Sequence, residues 1–256
     1  MTRLALIFLL VACLAFASWR GSREQPSEDA APTGNAAPFA LVELFTSEGC
    51  SSCPPADRLL ARLAAEARDS GEPVFTLSFH VDYWNYLGWA DPYSDPAFSA
   101  RQRAYSQALG ETVYTPQMIV NGRRAFVGSD AARARRDLAE ALRQPALITL
   151  AAGVSPVTAE GVLLVSYAAP DLPADAVVHL AVVEGGLSQR VTRGENTGRT
   201  LGHENVVRVF ETLTAPYGKV YLELPEALNL ANASLIVYAQ DVKTMAVLGA
   251  TGIDLR

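Results

Sequence analysis

Two cysteines three apart, Cys50-Ser51-Ser52-Cys53, stand where an apolar run meets a proline-opened helix, and that junction constrains the chain more than any other feature. Phe39-Ala40-Leu41-Val42-Glu43-Leu44-Phe45 reads as a largely buried strand. Pro54 and Pro55 then open a helix, where a missing amide hydrogen costs nothing. Leu59, Leu60, Leu63, Ala64 and Ala67 supply its apolar stripe, and Gly71 ends it. A helix N-terminus presents unpaired N–H groups and a positive dipole end, which stabilise a thiolate. Cys50, in the turn, is therefore expected to be the accessible, low-pKa thiol and the nucleophile. Cys53 is expected to be protected and to resolve a mixed disulfide.

The compartment decides what such a pair does. Arg3 precedes an apolar run from Leu4 to Phe16, short for a membrane span, and Ala15-Phe16-Ala17 offers the small-x-small pattern of signal-peptide cleavage. Residues 1–17 are expected to be a leader on that reading. Leu10-Val11-Ala12-Cys13 competes with it as a lipobox, in which a lipidated Cys13 would attach the protein to a membrane, and an uncleaved anchor is the third reading. All three export the remainder, to the periplasm or beyond the cell. The folded part then keeps Cys50 and Cys53, and a close pair in an oxidising compartment points to one disulfide. Net charge is −6 with no basic run beyond Arg133, Arg135 and Arg136, so no nucleic-acid partner is expected. Only Lys219 and Lys243 are lysines among 21 basic residues, a bias that suits a GC-rich bacterial genome.

Residues 18–37, rich in Ser, Glu, Pro, Ala and Gly, read as a flexible tether. From residue 38 the pattern is strand, helix, strand, helix, hairpin, helix, an α/β layer pattern. Val74–Phe79 is the second strand, residues 83–111 form an aromatic and then helical insertion, and Met118-Ile119-Val120 turns back through Asn121-Gly122, a hairpin signal. Ser129 or Asp130 caps a helix running to about Leu142. Arg101 and Gln102 read as a solvated helix face. After Pro145 seven short alternating runs, 147–152, 162–168, 177–184, 206–212, 219–224, 235–241 and 245–250, suggest a β-sandwich over residues 146–256. The polar stretch Arg193–Asn205 either binds something or merely crosses between strands.

Other residues gather around the cysteines in this reading. Thr115-Pro116 stands just before the hairpin, and His80 and Asp82 follow the second strand, whose C-terminal end shares an edge with the cysteine turn, where α/β ligands bind. His80 could protonate a leaving thiolate with Asp82 setting its charge, and Trp84 could wall a substrate groove. Each has a plainer reading: a satisfied histidine in a surface turn, and aromatics covering a core edge.

Val42–Asp57, His80-Val81-Asp82-Tyr83-Trp84, Leu87-Gly88-Trp89, Tyr114-Thr115-Pro116-Gln117 and Arg193-Gly194-Glu195-Asn196 together resemble the signature of a bacterial secreted family, domain-of-unknown-function family 1223. The resemblance runs from about residue 40 to the C-terminus. It implies a thioredoxin-like fold for residues 38–145 and supplies no reaction. In thioredoxin-like folds a cis proline at the place of Pro116 lies against the cysteine pair, and the backbone beside it, here Thr115, receives substrate. A buried acid commonly assists proton transfer there, and Glu43, seven positions before Cys50, lies near its place.

The leading expectation is an exported thiol–disulfide oxidoreductase acting on protein or small-molecule thiols and disulfides, with no cofactor and no metal. Two other classes stand beside it. One is a non-catalytic envelope binding module with a structural disulfide; the other is a copper-binding protein using both sulfurs and His80.

Overall fold

The alternation read from the sequence builds one large mixed sheet in the computed structural model, which describes residues 36–256. The leader, Cys13 and residues 18–35 of the tether lie outside the described residues. In chain order the strands are β1 (Ala40–Thr46), β2 (Val74–His80), β3 (Gln117–Val120), β4 (Arg124–Val127), β5 (Ala151–Val154), β6 (Val162–Ala168), β7 (Ala176–Glu184), β8 (Leu187–Arg190), β9 (Thr200–His203), β10 (Val206–Leu213), β11 (Tyr217–Glu223), β12 (Ala233–Asp241) and β13 (Val247–Asp254). The helices are α1 (Pro54–Ser70), α2 (Pro96–Leu109) and α3 (Ala131–Ala141).

Eight strands form the large sheet in the order β13-β12-β7-β10-β2-β1-β3-β4. β1 and β2 run parallel, and β3 joins β1 antiparallel. Strands from residues 146–256 therefore do not stand apart: β7, β10, β12 and β13 extend the sheet beyond β2, joined through Val206↔Ser78 and a bond from Asn205 Nδ2 to Thr76 Oγ1 of 2.7 Å. The sheet crosses residue 145 without a break, and residues 36–256 belong to one compact unit. What the alternating runs after 145 could not reveal is where their free edge pairs, because pairing partners leave no local trace.

Strand parity assigns the faces. Ala40, Val42 and Leu44 of β1 pack with Leu59, Leu60 and Leu63 of α1 and with Leu138 of α3. On that same side Val178, Leu180 and Val182 of β7 and Leu235 and Val237 of β12 meet Leu163, Val165 and Leu222 of a three-stranded sheet ordered β11-β6-β5. The opposite face is covered by α2, whose Phe98 and Tyr105 pack with Phe45, Phe79, Ala181 and Tyr238. Segment 83–111 is thus a short 3₁₀ turn, Asn85–Leu87, followed by a core helix. Arg101 and Gln102, read as solvated, point inward: Arg101 pairs with Glu43 at 2.6 Å, and Gln102 is fully buried, bonding to Gln117 and the Tyr114 carbonyl. Glu43 and Gln240, which hold Arg101, lie on strands remote in sequence, and Tyr114 and Gln117 lie beyond the end of the helix, so helix periodicity alone could not place either residue.

Local chemistry accounts for the boundaries. Asp95 caps α2 by accepting from Ala97 N–H at 2.7 Å and Asp130 caps α3 by accepting from Arg133 N–H at 2.9 Å. Gly71 and Gly110, both left-handed, close α1 and α2. Asn121 and Gly122 both have positive φ, as the hairpin between β3 and β4 requires. The β8–β9 hairpin, which sequence alternation did not reveal, packs against α1.

Candidate functional site

β1 ends at Thr46, and the turn that follows carries Cys50 to the start of α1, where Cys53 is the N-cap residue and Pro54 the first helical position. Cys50 and Cys53 are joined by a disulfide, with Cα atoms 5.4 Å apart. The Thr115–Pro116 peptide is cis. Ser52 Oγ donates to the Thr115 carbonyl at 3.4 Å, which sets Thr115 and Pro116 against the cysteine turn. Trp84 is also brought in: its Nε1 donates to Thr115 Oγ1 at 2.8 Å, and a Cβ added to Gly49 would stand 2.8 Å from the Trp84 Cβ.

Neither cysteine has exposed surface in this disulfide form; the exposure expected of Cys50 belongs to Ser51 and Ser52. The cover comes from the far end of the chain. Between β8 and β9, Asn196 is buried and its Nδ2 donates to the carbonyls of Glu48 (2.8 Å) and Cys50 (3.0 Å). Beside it the Glu195 carboxylate accepts from Ser51 N–H at 3.0 Å, and Arg199 donates to Asn196 Oδ1 at 2.7 Å. The stretch left open as a binding or crossing segment therefore clasps the cysteine turn.

Behind the turn lies a buried cluster. His80 Nδ1 bonds Asp91 Oδ2 at 2.7 Å, and the same oxygen accepts from Glu48 N–H at 2.8 Å. Glu48 holds His203 Nε2 at 3.0 Å through one carboxylate oxygen and accepts from Trp89 Nε1 at 2.7 Å through the other. Burial opposes a charge on His80, yet Asp91 beside it, helped by Asp57 and Glu48, lifts its pKa above the usual value. Burial likewise works against the Asp91 carboxylate, but His80 and the N–H groups of Glu48 and Tyr93 hold its pKa below the usual range. Asp57 completes the group. It lies one turn beyond Cys53 in α1, on the same helix face, and accepts from Thr46 Oγ1 at 2.7 Å. Burial pushes its carboxyl pKa up, with His203 and His80 acting against the rise.

Two expected site residues are placed differently. Glu43 lies on the α2 face of β1, held by Arg101 and by the Tyr238 hydroxyl at 3.1 Å, whereas α1 and its cysteine cover the other face. Parity decides this: Glu43 shares a face with Leu41 and Phe45, not with Thr46. Asp82 does not set the charge on His80; it accepts from Ser99 Oγ at 2.5 Å at the start of α2, and Asp91 takes the role at His80. His80 therefore gives one ring nitrogen to a carboxylate, and among the described residues no group of three or more His, Cys, Asp or Glu side chains is arranged to hold a metal ion.

Sequence reasoning missed Asp57, Glu48, Asp91, His203 and the clasp at Glu195 and Asn196. One local signal was available. Asp57 falls in line with Leu60, Ala64 and Ala67, so an acid occupies the apolar stripe of α1.

No curated protein matches the chain. Among solved structures, the crystal structure of protein AGR_C_4864 from Agrobacterium tumefaciens is 29% identical, covers 87% of this chain and 97% of its own, and aligns with a TM-score of 0.62. A domain of the outer membrane lipoprotein Omp28 from Porphyromonas gingivalis is 16% identical over 43% of this chain and 88% of its own, at a TM-score of 0.25, too low to relate the folds. A family model described as "Protein of unknown function (DUF1223)" spans residues 41–240, including the cysteine turn, the buried cluster and the clasp, and the chain belongs to that family.

Proposed function

We propose that the protein is an exported thiol–disulfide oxidoreductase whose catalytic core, from β1 to α3, is thioredoxin-like, with a β-sandwich formed where the three-stranded sheet packs on β7 and β12. The observation that carries the reading is the juxtaposition of the Cys50–Cys53 disulfide, at the start of α1, with the Thr115 backbone held by Ser52. A disulfide closing so small a loop removes little chain entropy and is a poor staple, which favours a chemical use. Cys50 attacks a substrate disulfide and Cys53 resolves the mixed disulfide. Asp57, rather than Glu43, is the carboxyl placed to take the Cys53 proton, because it shares the helix face of Cys53 and its pKa is raised by burial. Thr115 and Trp84 line the approach to the cysteines from one side, and His80 acts from behind through its pair with Asp91. Substrates are protein or small-molecule thiols and disulfides in the periplasm or outside the cell.

The burial of both cysteines favours a second reading, a non-catalytic envelope module whose disulfide is structural. The reduction potential of the pair separates the two. A value above about −230 mV fits an exchanging pair, and one below about −300 mV a structural bond.

A further inference from the structure

The buried cluster reaches the surface through Asp57 and His203. Between the first turns of α1 and the β8–β9 hairpin lies an open cleft of about 450 Å³, bordered by Pro54, Asp57, Ala61, Leu187, Leu201 and His203. Pro54 and Asp57 bring it against the turn after Cys53, and His203 forms part of its opposite wall. Inside, the His80 and His203 rings meet edge to face with centroids 4.8 Å apart. Each ring ties one nitrogen to a carboxylate, and the second nitrogen of each, His80 Nε2 and His203 Nδ1, is buried without a partner among the described residues. A cluster serving only to hold the fold has no use for two such nitrogens, since each costs desolvation. A ring whose tautomer is fixed by a carboxylate at one nitrogen, and whose other nitrogen is open, is suited to pass a proton. The groups facing Asp57 are Thr46 of β1, His80 of β2, Asp91 from the loop before α2 and His203 of β9, with Arg58 beside it on α1 at the cleft.

We infer that this cleft is the proton port of the Cys50–Cys53 pair, with His203 carrying protons between Asp57 and the water of the cleft. The inference rests on the thiol–disulfide reading. With both cysteines buried, the Cys53 proton has no direct way out and needs a route. When the protein oxidises, the Cys53 thiol gives its proton to the Asp57 carboxylate. The Cys53 thiolate then attacks the Cys50 sulfur of the mixed disulfide. A Cys50–Cys53 bond forms, the bond from Cys50 to the substrate sulfur breaks, and the substrate leaves as a thiolate with the electron pair. Two electrons have passed from the dithiol to the substrate disulfide. Asp57 hands its proton to His203 Nδ1, and a turn of the imidazole, whose edge borders the cleft, brings that nitrogen to the cleft water, where the proton leaves. When the protein is reduced, the same steps run backward. The β8–β9 hairpin thus supplies a working part of the redox site from the far half of the chain.

The test mixes the reduced full chain with 5,5′-dithiobis(2-nitrobenzoate) and follows the two releases of chromophore. The first reports attack by Cys50 and the second resolution by Cys53. His203→Gln keeps a donor for Glu48 but cannot relay. It should slow the second release about ten-fold or more at pH 7, within the range of a lost proton-transfer group, and leave the first within about two-fold. Asp57→Ala should slow the second release likewise, and added formate, entering the cleft, should restore it. Ala61→Phe, outside the cluster, should narrow the cleft and abolish that rescue; it also gives an independent reading if His203→Gln does not fold. A second release at the wild-type rate in His203→Gln, or formate rescue undiminished by Ala61→Phe, overturns the port and leaves the redox reading standing. Absence of any release from the wild-type protein overturns the redox reading itself.

Discussion

Two clusters of buried charge lie on opposite faces of the same sheet, one under α2 and one beside α1. Under α2, Glu43 pairs with Arg101, whose guanidinium lies 5.1–5.7 Å from the ring centroids of Phe79, Tyr105, Phe210 and Tyr238. Gln240 joins it to His179. Every shifted group there has moved away from neutrality. Burial opposes the Arg101 charge but Glu43 raises its pKa, burial raises Tyr105 and Tyr238 well above their usual value, and burial drops His179 well below its own. Beside α1 two groups move the other way, since burial raises Asp57 and the Asp91 partner lifts His80 against burial, while His80 holds Asp91 itself low against its own burial. The comparison teaches that burial and pairing alone do not mark a working site. What sets the second cluster apart is a histidine and an acid displaced toward neutrality, a cleft reaching them, and a disulfide one helical turn away.

The contrast is broken most sharply by removing Arg101. Arg101→Met leaves Glu43 as an uncompensated buried charge, at an expected cost of about 3–5 kcal/mol. A urea titration should show it as a large fall in midpoint. Adding Glu43→Leu should recover most of the loss, since a buried pair replaced by apolar groups is often neutral. Thiol exchange per folded molecule should stay at the wild-type rate. A slowed exchange in the double variant would mean that the two clusters act as one.

Gly49→Ala comes next. Its Cβ would meet the Trp84 Cβ at 2.8 Å and the Trp84 carbonyl oxygen at 3.3 Å, so segment 84–89 must shift away from the cysteine turn. Overpacking of this kind costs about 1–3 kcal/mol. Because Trp84 moves with Thr115, faster reduction of the disulfide should accompany the loss of stability. A loss of stability with no change in reduction rate would detach Trp84 from the approach to the cysteines.

Much of this architecture was legible locally. Pro54 and Pro55 at the start and Gly71 at the end marked the bounds of α1, and Asn121-Gly122 marked the β3–β4 turn. The Cys50–Cys53 disulfide was legible because two thiols stand three apart where a strand meets a helix. What was not legible lies in long-range pairing. Glu195 and Asn196 meet the cysteine turn from more than 140 residues away, and His203 meets Glu48 from 155. β8 and β9 are four-residue strands paired only with each other, too short and polar to stand out as periodicity. Glu43 was misplaced for a different reason: its nearness to Cys50 in sequence suggested a role that strand parity denies it.

The pH dependence of stability sharpens the comparison further. His80 has a raised pKa in the folded state, so its contribution is fully present below its unfolded value near 6.5 and is lost as pH rises through the folded value. Asp91 has a lowered pKa, so its contribution is present above about 3.8 and is lost as pH falls through the folded value. The pair therefore stabilises most between those limits. Asp57 acts oppositely, because its raised pKa costs stability as pH rises above 3.8. Stability should fall from pH 6.5 upward by at most about 1.4 kcal/mol per pH unit from His80. His80→Gln should flatten that arm, seen as a denaturation midpoint that no longer declines with pH. An unaltered decline would assign it to groups outside the cluster.

The smallest effect is expected at the clasp, where the two halves of the chain meet at the surface. Glu195 is exposed, and its one bond to the motif is the acceptance of Ser51 N–H at 3.0 Å, whereas Asn196 is buried and bonds two carbonyls. Removing the exposed contact should loosen the cover without unseating it. Losing one hydrogen bond at a wet surface should change the fraction of molecules that are open about two- to five-fold. Glu195→Ala should therefore speed reduction of the disulfide by dithiothreitol about two- to five-fold, if reduction proceeds through opening of the clasp. Asn196→Ala should speed it more but also destabilise the fold, because it strips two buried carbonyls of their donor. The discriminating measurement is the ratio of reduction rate to global stability. A rate gain in Glu195→Ala at unchanged denaturation midpoint assigns the barrier to local opening at the clasp. A rate that rises only in proportion to lost stability would mean that the disulfide is reached by global unfolding alone, and the pair would then behave like the closed cluster under α2, as structure rather than as a site.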